Sequence, residues 1–198
     1  MQSSIGIFGG TFNPVHLGHI EVAKACMKEC NLSKVIFLPN GNPPHKQGEK
    51  IVSSHHRYNM LKLAIDGLDG FEVSDYELKR KEPSYTIDTN RFFKTMYDCP
   101  VYFIIGSDSF HSLCSWRNYE SLIKECNFIV APRDDTDFEK LEKDCMMHNL
   151  KGGNAIPVRM QPYNAASTDI RHIVNQNGNT ALLLPDSVEA YITKHKLY

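Results

Sequence analysis

Ser4-Ile5-Gly6-Ile7-Phe8-Gly9-Gly10-Thr11-Phe12-Asn13-Pro14-Val15-His16-Leu17-Gly18-His19 is the stretch on which the reading of this chain turns. Ser4–Phe8 is short, apolar and β-rich, the pattern of a buried strand. From Leu17 to about Cys30 the apolar positions Ile20, Ala23, Met27 and Cys30 recur at helical spacing. Strand, glycine loop and helix therefore follow one another directly. Gly9 and Gly10 lack side chains, so the loop backbone is expected to approach a phosphate closely and to adopt positive φ. The helix start adds free N–H groups and the positive end of the helix dipole, an anion site. His16 and His19 are three apart and share one helix face. Gly18 between them removes bulk where a ligand would lie. Two imidazoles at such a terminus can hold a polyphosphate and stabilise the charge that builds up as it is cleaved.

Each part has a bland reading on its own. A His pair three apart is more often a surface feature or a metal half-site, and a double glycine after a strand is common. Joined in one unbroken string after the first strand, they favour function. The dinucleotide fingerprint G-x-G-x-x-G and the Walker pattern ending in Gly-Lys-Ser/Thr are both absent from the sequence, which disfavours hydride transfer and P-loop chemistry.

Outward from this loop, strand-like and helical stretches alternate. Strands are expected at Lys34–Leu38, Phe71–Tyr76, Val101–Ile105, Phe128–Ala131 and Ala155–Met160. Helices are expected from Ser53 or Ser54 to about Asp66, at Thr86–Tyr97, Asn118–Lys124 and Phe138–Leu150, from a Ser167 or Thr168 cap through Val174, and at Asp186–Lys194. Pro39-Asn40-Gly41-Asn42-Pro43-Pro44 must be a loop. Such alternation implies an α/β fold, a doubly wound, mostly parallel sheet with helices on both faces. With no repeat and no linker, residues 1–198 read as one domain. Ligands then bind beyond the carboxyl ends of the strands. The segments Gly9–His19, Pro39–Lys46 and Gly106–Asp108 all follow strands.

Composition narrows the partners. The chain has 198 residues, 41% hydrophobic and 23% charged, enough for a real core. A formal net charge of -1 gives no basic field to draw nucleic acid or an anionic membrane, so neither is expected as a partner. No apolar run approaches the roughly 20 residues of a membrane span, and no signal peptide is visible. Six cysteines without a CxxC pair suit free thiols in a reducing cytoplasm. Self-association is left open.

Residues 9–19 resemble the signature of the HxGH nucleotidyltransferases, a family with a Rossmann-like fold. The resemblance implies transfer of a nucleoside monophosphate from ATP or CTP with release of pyrophosphate, His16 and His19 contacting the phosphates. Pro43-Pro44-His45-Lys46, Ser84-Tyr85-Thr86-Ile87-Asp88-Thr89, Gly106-Ser107-Asp108 with Trp116, Ser167-Thr168-Asp169-Ile170-Arg171 and the ending through Leu197-Tyr198 narrow it further. Together they resemble the bacterial nicotinate-nucleotide adenylyltransferases over essentially the whole chain. The implied reaction joins ATP to nicotinate mononucleotide, giving deamido-NAD and pyrophosphate. Acceptance of nicotinamide mononucleotide, alone or in addition, is the alternative.

The roles then expected are these. His16 lies at the α-phosphate, while His19, Lys46 and Arg171 hold the β- and γ-phosphates. Gly9, Gly10, Thr11, Asn13, Gly106, Asp108, Ser167 and Thr168 complete the ATP site. Ser84, Tyr85 and Thr86 receive the acceptor, with backbone amides near Thr86 taking its carboxylate and Trp116 stacking on the pyridinium, whose positive charge suits an electron-rich indole face. Two positions depart from the family pattern: Ala166 stands where a first serine is frequent, and Arg117 where an aromatic commonly follows the Trp. Arg117 is expected to add a cationic contact to the nicotinate carboxylate. No carboxylate cluster marks a protein metal site, so Mg²⁺ is expected to arrive with ATP.

Overall fold

The computed structural model describes residues 3–41, 51–80, 82–133, 137–161, 163 and 165–198. Six strands, β1 (Ser4–Gly10), β2 (Leu32–Pro39), β3 (Phe71–Val73), β4 (Val101–Gly106), β5 (Asn127–Ala131) and β6 (Asn154–Pro157), form one sheet in the order β3-β2-β1-β4-β5-β6. Every pairing is parallel. The helices are α1 (Leu17–Glu29), α2 (Ser54–Ala64), α3 (Thr86–Met96), α4 (Ser107–His111), α5 (Tyr119–Glu125), α6 (Phe138–Leu150), α7 (Ser167–Asn175) and α8 (Asp186–His195), with a 3-10 turn at Leu113–Ser115.

Side-chain alternation along the strands divides the core into two layers. Phe8, Val35, Phe37, Ile104 and Ile129 face Ile20 and Ala23 of α1, Met60 and Leu61 of α2, Ile170 of α7 and Val188 of α8. Ile5, Ile7, Ile36, Leu38, Val101, Phe103 and Val130 face Ile87 and Phe93 of α3, Phe110 of α4, Leu122 of α5 and Leu141 of α6. Both faces of the sheet are thus covered, which is why the strands read as apolar runs. Chain direction reverses its progress across the sheet between β1 and β4. The crevice at that switch point is where ligands bind in such sheets.

Several boundaries move relative to the sequence reading. The third strand stops at Val73, since Asp75 begins a turn whose carbonyl accepts from the amides of Leu78 and Lys79. The last strand runs Asn154–Pro157 rather than Ala155–Met160. Gly106-Ser107-Asp108 opens α4 instead of a loop; five residues are too few for apolar periodicity to reveal. Ser53 caps α2, accepting from the His56 amide. The cap of α7 is Ala166, so Ser167 and Thr168 are its first helical residues and their hydroxyls are not cap acceptors.

Two glycines divide sharply in role. At Gly41 a Cβ would overlap the carbonyl oxygen of Glu77, so the loop after β2 presses backbone to backbone against the segment after β3. At Gly9 a Cβ would meet nothing within 4 Å among the described residues. Gly41→Ala should therefore destabilise by about 1–3 kcal/mol in urea unfolding, whereas Gly9→Ala should stay within about 0.5 kcal/mol. Equal effects would contradict the packing described.

Candidate active site

The first loop leaves the end of β1 and is clasped from two sides. Arg57 Nη1 donates to the Thr11 carbonyl at 2.8 Å. Arg171 Nη1 donates to the Asn13 carbonyl at 2.9 Å, and Ser167 Oγ to that of Pro14 at 2.9 Å. Asn13 is buried, and its Oδ1 accepts from the Val52 amide at 3.2 Å and from the Tyr198 hydroxyl at 2.8 Å. That oxygen thus ties together the first loop, the approach to α2 and the segment after α8. Burial raises the Tyr198 phenol well above its ordinary pKa, so it remains a donor.

Neither Gly9 nor Gly10 adopts positive φ; Phe12 does, at 49°. Both glycines continue the strand, opposite Leu38 and Pro39. A Cβ at Gly10 would sit 2.9 Å from the Phe12 ring, so Gly10 makes room for that ring, while Gly9 leaves open space. The space above Gly18 is likewise taken by the chain itself: a Cβ there would lie 3.0 Å from both His16 Nδ1 and the Tyr163 ring.

His16 is the N-cap of α1 in extended backbone conformation, and His19 is its third residue. The two rings lie 3.6 Å apart between centroids at 35°. His19 also meets the edge of Phe12 at 5.0 Å. Most of the expected anion-binding amides are already used. Leu17 N–H donates to the Leu183 carbonyl, His19 N–H to the His16 carbonyl, and His16 N–H to His19 Nδ1 at 3.2 Å. What remains unengaged at this helix start is chiefly the imidazole side chains.

The hydrogen bond from His16 N–H fixes the tautomer of His19. Nδ1 accepts, so Nε2 carries the proton in the neutral ring. Burial, reinforced by His16 and Arg133, holds the His19 pKa well below the ordinary value. Burial and the Arg133 charge bring His16 down to about 4. Both rings are neutral at pH 7. His16 Nδ1 is buried against Gly18 with no hydrogen-bond partner among the described residues.

At the ends of the neighbouring strands, Asp108 Oδ2 pairs with Arg133 Nη1 at 2.8 Å, and Ser107 Oγ accepts from the Arg133 amide. Gly106 gives the Asp108 carboxylate room to fold back over the end of β4. Thr168 Oγ1 lies 3.4 Å from Arg171 Nη2, so Ser167, Thr168 and Arg171 gather at the first loop. A second group forms around the start of α3. Tyr85 is its N-cap and Thr86 its first residue, a position whose amide has no acceptor inside the helix. The Arg117 guanidinium stacks 4.3 Å over the Tyr85 ring. Tyr85 and Trp116 pack against the same core layer, and Ser84 Oγ is buried without a partner among the described residues. Lys46, with Pro43, Pro44 and His45, lies outside the described residues.

Arg57 and Arg133 went unnoticed as site residues in the sequence. Arg57 had a faint signal, a charge inside an otherwise apolar helix face with Met60, Leu61 and Ala64. Arg133, two residues past a strand that adjoins β4, had only its place beyond a carboxyl end.

Comparison with known proteins bears on this geometry. Residues 7–173 match the Cytidylyltransferase-like family model. A probable nicotinate-nucleotide adenylyltransferase of Thermoanaerobacter sp. (strain X514) is 41% identical over 197 residues, 98% of this chain and 93% of the relative. One from Moorella thermoacetica is 39% identical, covering 98% and 91%. Among solved structures, Plasmodium falciparum nicotinic acid mononucleotide adenylyltransferase complexed with NaAD shares the fold at a TM-score of 0.82 and 20% identity, over 99% of this chain and 97% of that one. A first loop carrying a close histidine pair at the switch point, and relatives alike over nearly their full length, make the chain a member of the nicotinate-nucleotide adenylyltransferase family.

Proposed function

We propose that the protein transfers the adenylyl group of ATP to nicotinate mononucleotide, giving nicotinate adenine dinucleotide and pyrophosphate, a step of NAD biosynthesis. The observation that carries this reading is the close, neutral His16–His19 pair beside the switch point of the sheet. The acceptor's 5′-phosphate oxygen attacks the α-phosphorus of ATP in line. A P–O bond forms there as the bond to the β-phosphate oxygen breaks, and its electron pair leaves with pyrophosphate. No side chain need become a covalent nucleophile; positioning and charge stabilisation suffice.

His16 serves the α-phosphate. His19 Nε2–H, Lys46 and Arg171 serve the β- and γ-phosphates, with Thr11 and Thr168 as further donors; the Ser167 hydroxyl, also expected there, already donates to the Pro14 carbonyl and holds the loop instead. Bound triphosphate raises the pKa of both imidazoles, opposing the burial that lowers it, so their hydrogen bonds strengthen as charge moves to the leaving group. The open space at Gly9 leaves room for the phosphates against the end of β1. Gly106 and Asp108 border the nucleoside side. Among the described residues no group of three or more His, Cys, Asp or Glu side chains could hold a metal ion. Mg²⁺ would come with ATP and would supply positive charge to the phosphates.

On the acceptor side, Trp116 stacks on the pyridinium and the Thr86 amide receives the carboxylate. Arg117, already stacked on Tyr85 next to that amide, adds a cation that a carboxamide would not use. No helix among the described residues is long and apolar enough to cross a membrane. A cytoplasmic setting, where ATP is supplied, fits these substrates.

Pyrophosphate release from ATP and Mg²⁺ should be supported by nicotinate mononucleotide far better than by nicotinamide mononucleotide. Equal rates would establish dual specificity, and release with neither would refute the proposal. His19→Ala should lose about 10²–10³ in kcat. Gly9→Ala should raise KM for ATP without loss of stability. Arg117→Ala should raise KM for nicotinate mononucleotide; an unchanged KM would remove that residue from the site.

The imidazoles also predict acid sensitivity. Because His16 stays neutral in the fold where the unfolded chain becomes protonated, its contribution is intact above about pH 6.5 and lost as pH falls toward 4. The shift from 6.5 to about 4 amounts to on the order of 3 kcal/mol. His16→Gln should therefore lose less stability than the unsubstituted protein between neutral and acid pH in urea titrations. Equal losses would contradict the burial of a neutral ring.

A further inference from the structure

Arg57 is 2% exposed, yet the guanidinium has no carboxylate partner among its hydrogen bonds. Among the described residues its donors go to backbone carbonyls. Nη1 reaches Thr11, in the loop after β1, at 2.8 Å; Nη2 reaches Asn40 at 2.7 Å and Gly41 at 3.5 Å, in the loop after β2; Nε reaches Val52, ahead of α2, at 3.3 Å. Register between β1 and β2 ends at Gly10 and Pro39, followed by one more bond from the Asn40 amide to the Gly10 carbonyl. Beyond that point the guanidinium spans the two loops. A buried charge with no carboxylate among the described residues to pair with is costly, and burial, opposed in part by Tyr198, pulls the Arg57 pKa down. An apolar residue at this place on α2 would avoid that cost, as Met60 and Leu61 do. The planar fork supplies what no apolar side chain could, fixed donors aimed at two separate loops.

We infer that Arg57 is a positioning residue for the transfer reaction, setting the separation of the loop that carries His16 and His19 from the Asn40–Gly41 backbone at the end of β2. The inference rests on the reaction proposed above. Misplacement of a reacting group by about 1 Å costs on the order of 10²-fold in rate, so the distance held by this fork matters to the chemistry.

The test uses Arg57→Lys, which keeps the charge and loses the fork, and Arg57→Gln, which is neutral and keeps two donors. Both are expected to fold by circular dichroism, with kcat reduced about 10–100-fold and KM for nicotinate mononucleotide changed less than about threefold. His19→Ala should cost much less in either background than alone, because a displaced His19 contributes less. A folded variant with kcat within about twofold of the unsubstituted protein would overturn the inference. So would a full, additive cost of His19→Ala in both backgrounds, or failure of both variants to fold, since Arg57 would then serve the fold alone. If His19→Ala has no effect in the unsubstituted protein, the proposed reaction chemistry fails, and the Arg57 inference is decided by the kcat of its own variants.

Discussion

Three carbonyls of the first loop, those of Thr11, Asn13 and Pro14, are each claimed by a side chain from a helix far away in sequence: Arg57 of α2, Arg171 and Ser167 of α7. A loop leaving a parallel strand has no ladder to satisfy its backbone, and unpaired buried carbonyls are costly. These three bonds supply the partners and, in doing so, fix where the loop lies. The Asn13 side chain adds Val52 and Tyr198 to the same knot. The course of the backbone from Thr11 to Pro14 is thus decided by groups on both sides of it, and His16 starts from a fixed point.

That fixed start changes how the helix terminus works. The amide of Leu17 is bonded to Leu183, and the amide of His16 to the side chain of His19. The backbone amides that would make a general anion site are largely occupied, so in the proposed reaction the recognition of charge is assigned to two imidazoles kept neutral by burial. A neutral donor in a partly dry pocket costs less to hold in the empty protein than a cation would. It gains proton affinity when phosphate arrives.

Much of this was legible in the chain, and the reasons differ by feature. The five longer strands and the helices at Leu17, Thr86 and Asp186 carried strong apolar patterns, so the doubly wound sheet followed. The short α4 had no room for periodicity, and β3 was overextended to Tyr76 although Asp75 already opens a turn. In the site, residue types were readable but their partners were not. Gly10 and Gly18 looked like space for a ligand; Phe12, His16 and Tyr163 fill it. The Asn13 oxygen serves Val52 and Tyr198, contacts that no sequence spacing announces. Arg57 lacked a motif because its role lies in contacts with Thr11 and Asn40, residues distant in sequence from its helix.

The central claim is that held groups position a direct attack at the α-phosphorus. Stereochemistry at that atom reports it most directly. With ATP carrying a chiral α-thiophosphate and nicotinate mononucleotide as acceptor, a single in-line displacement yields a dinucleotide with inverted configuration at the labelled phosphorus. Retention would mean two displacements through a covalent adenylyl-protein intermediate, and would contradict the account.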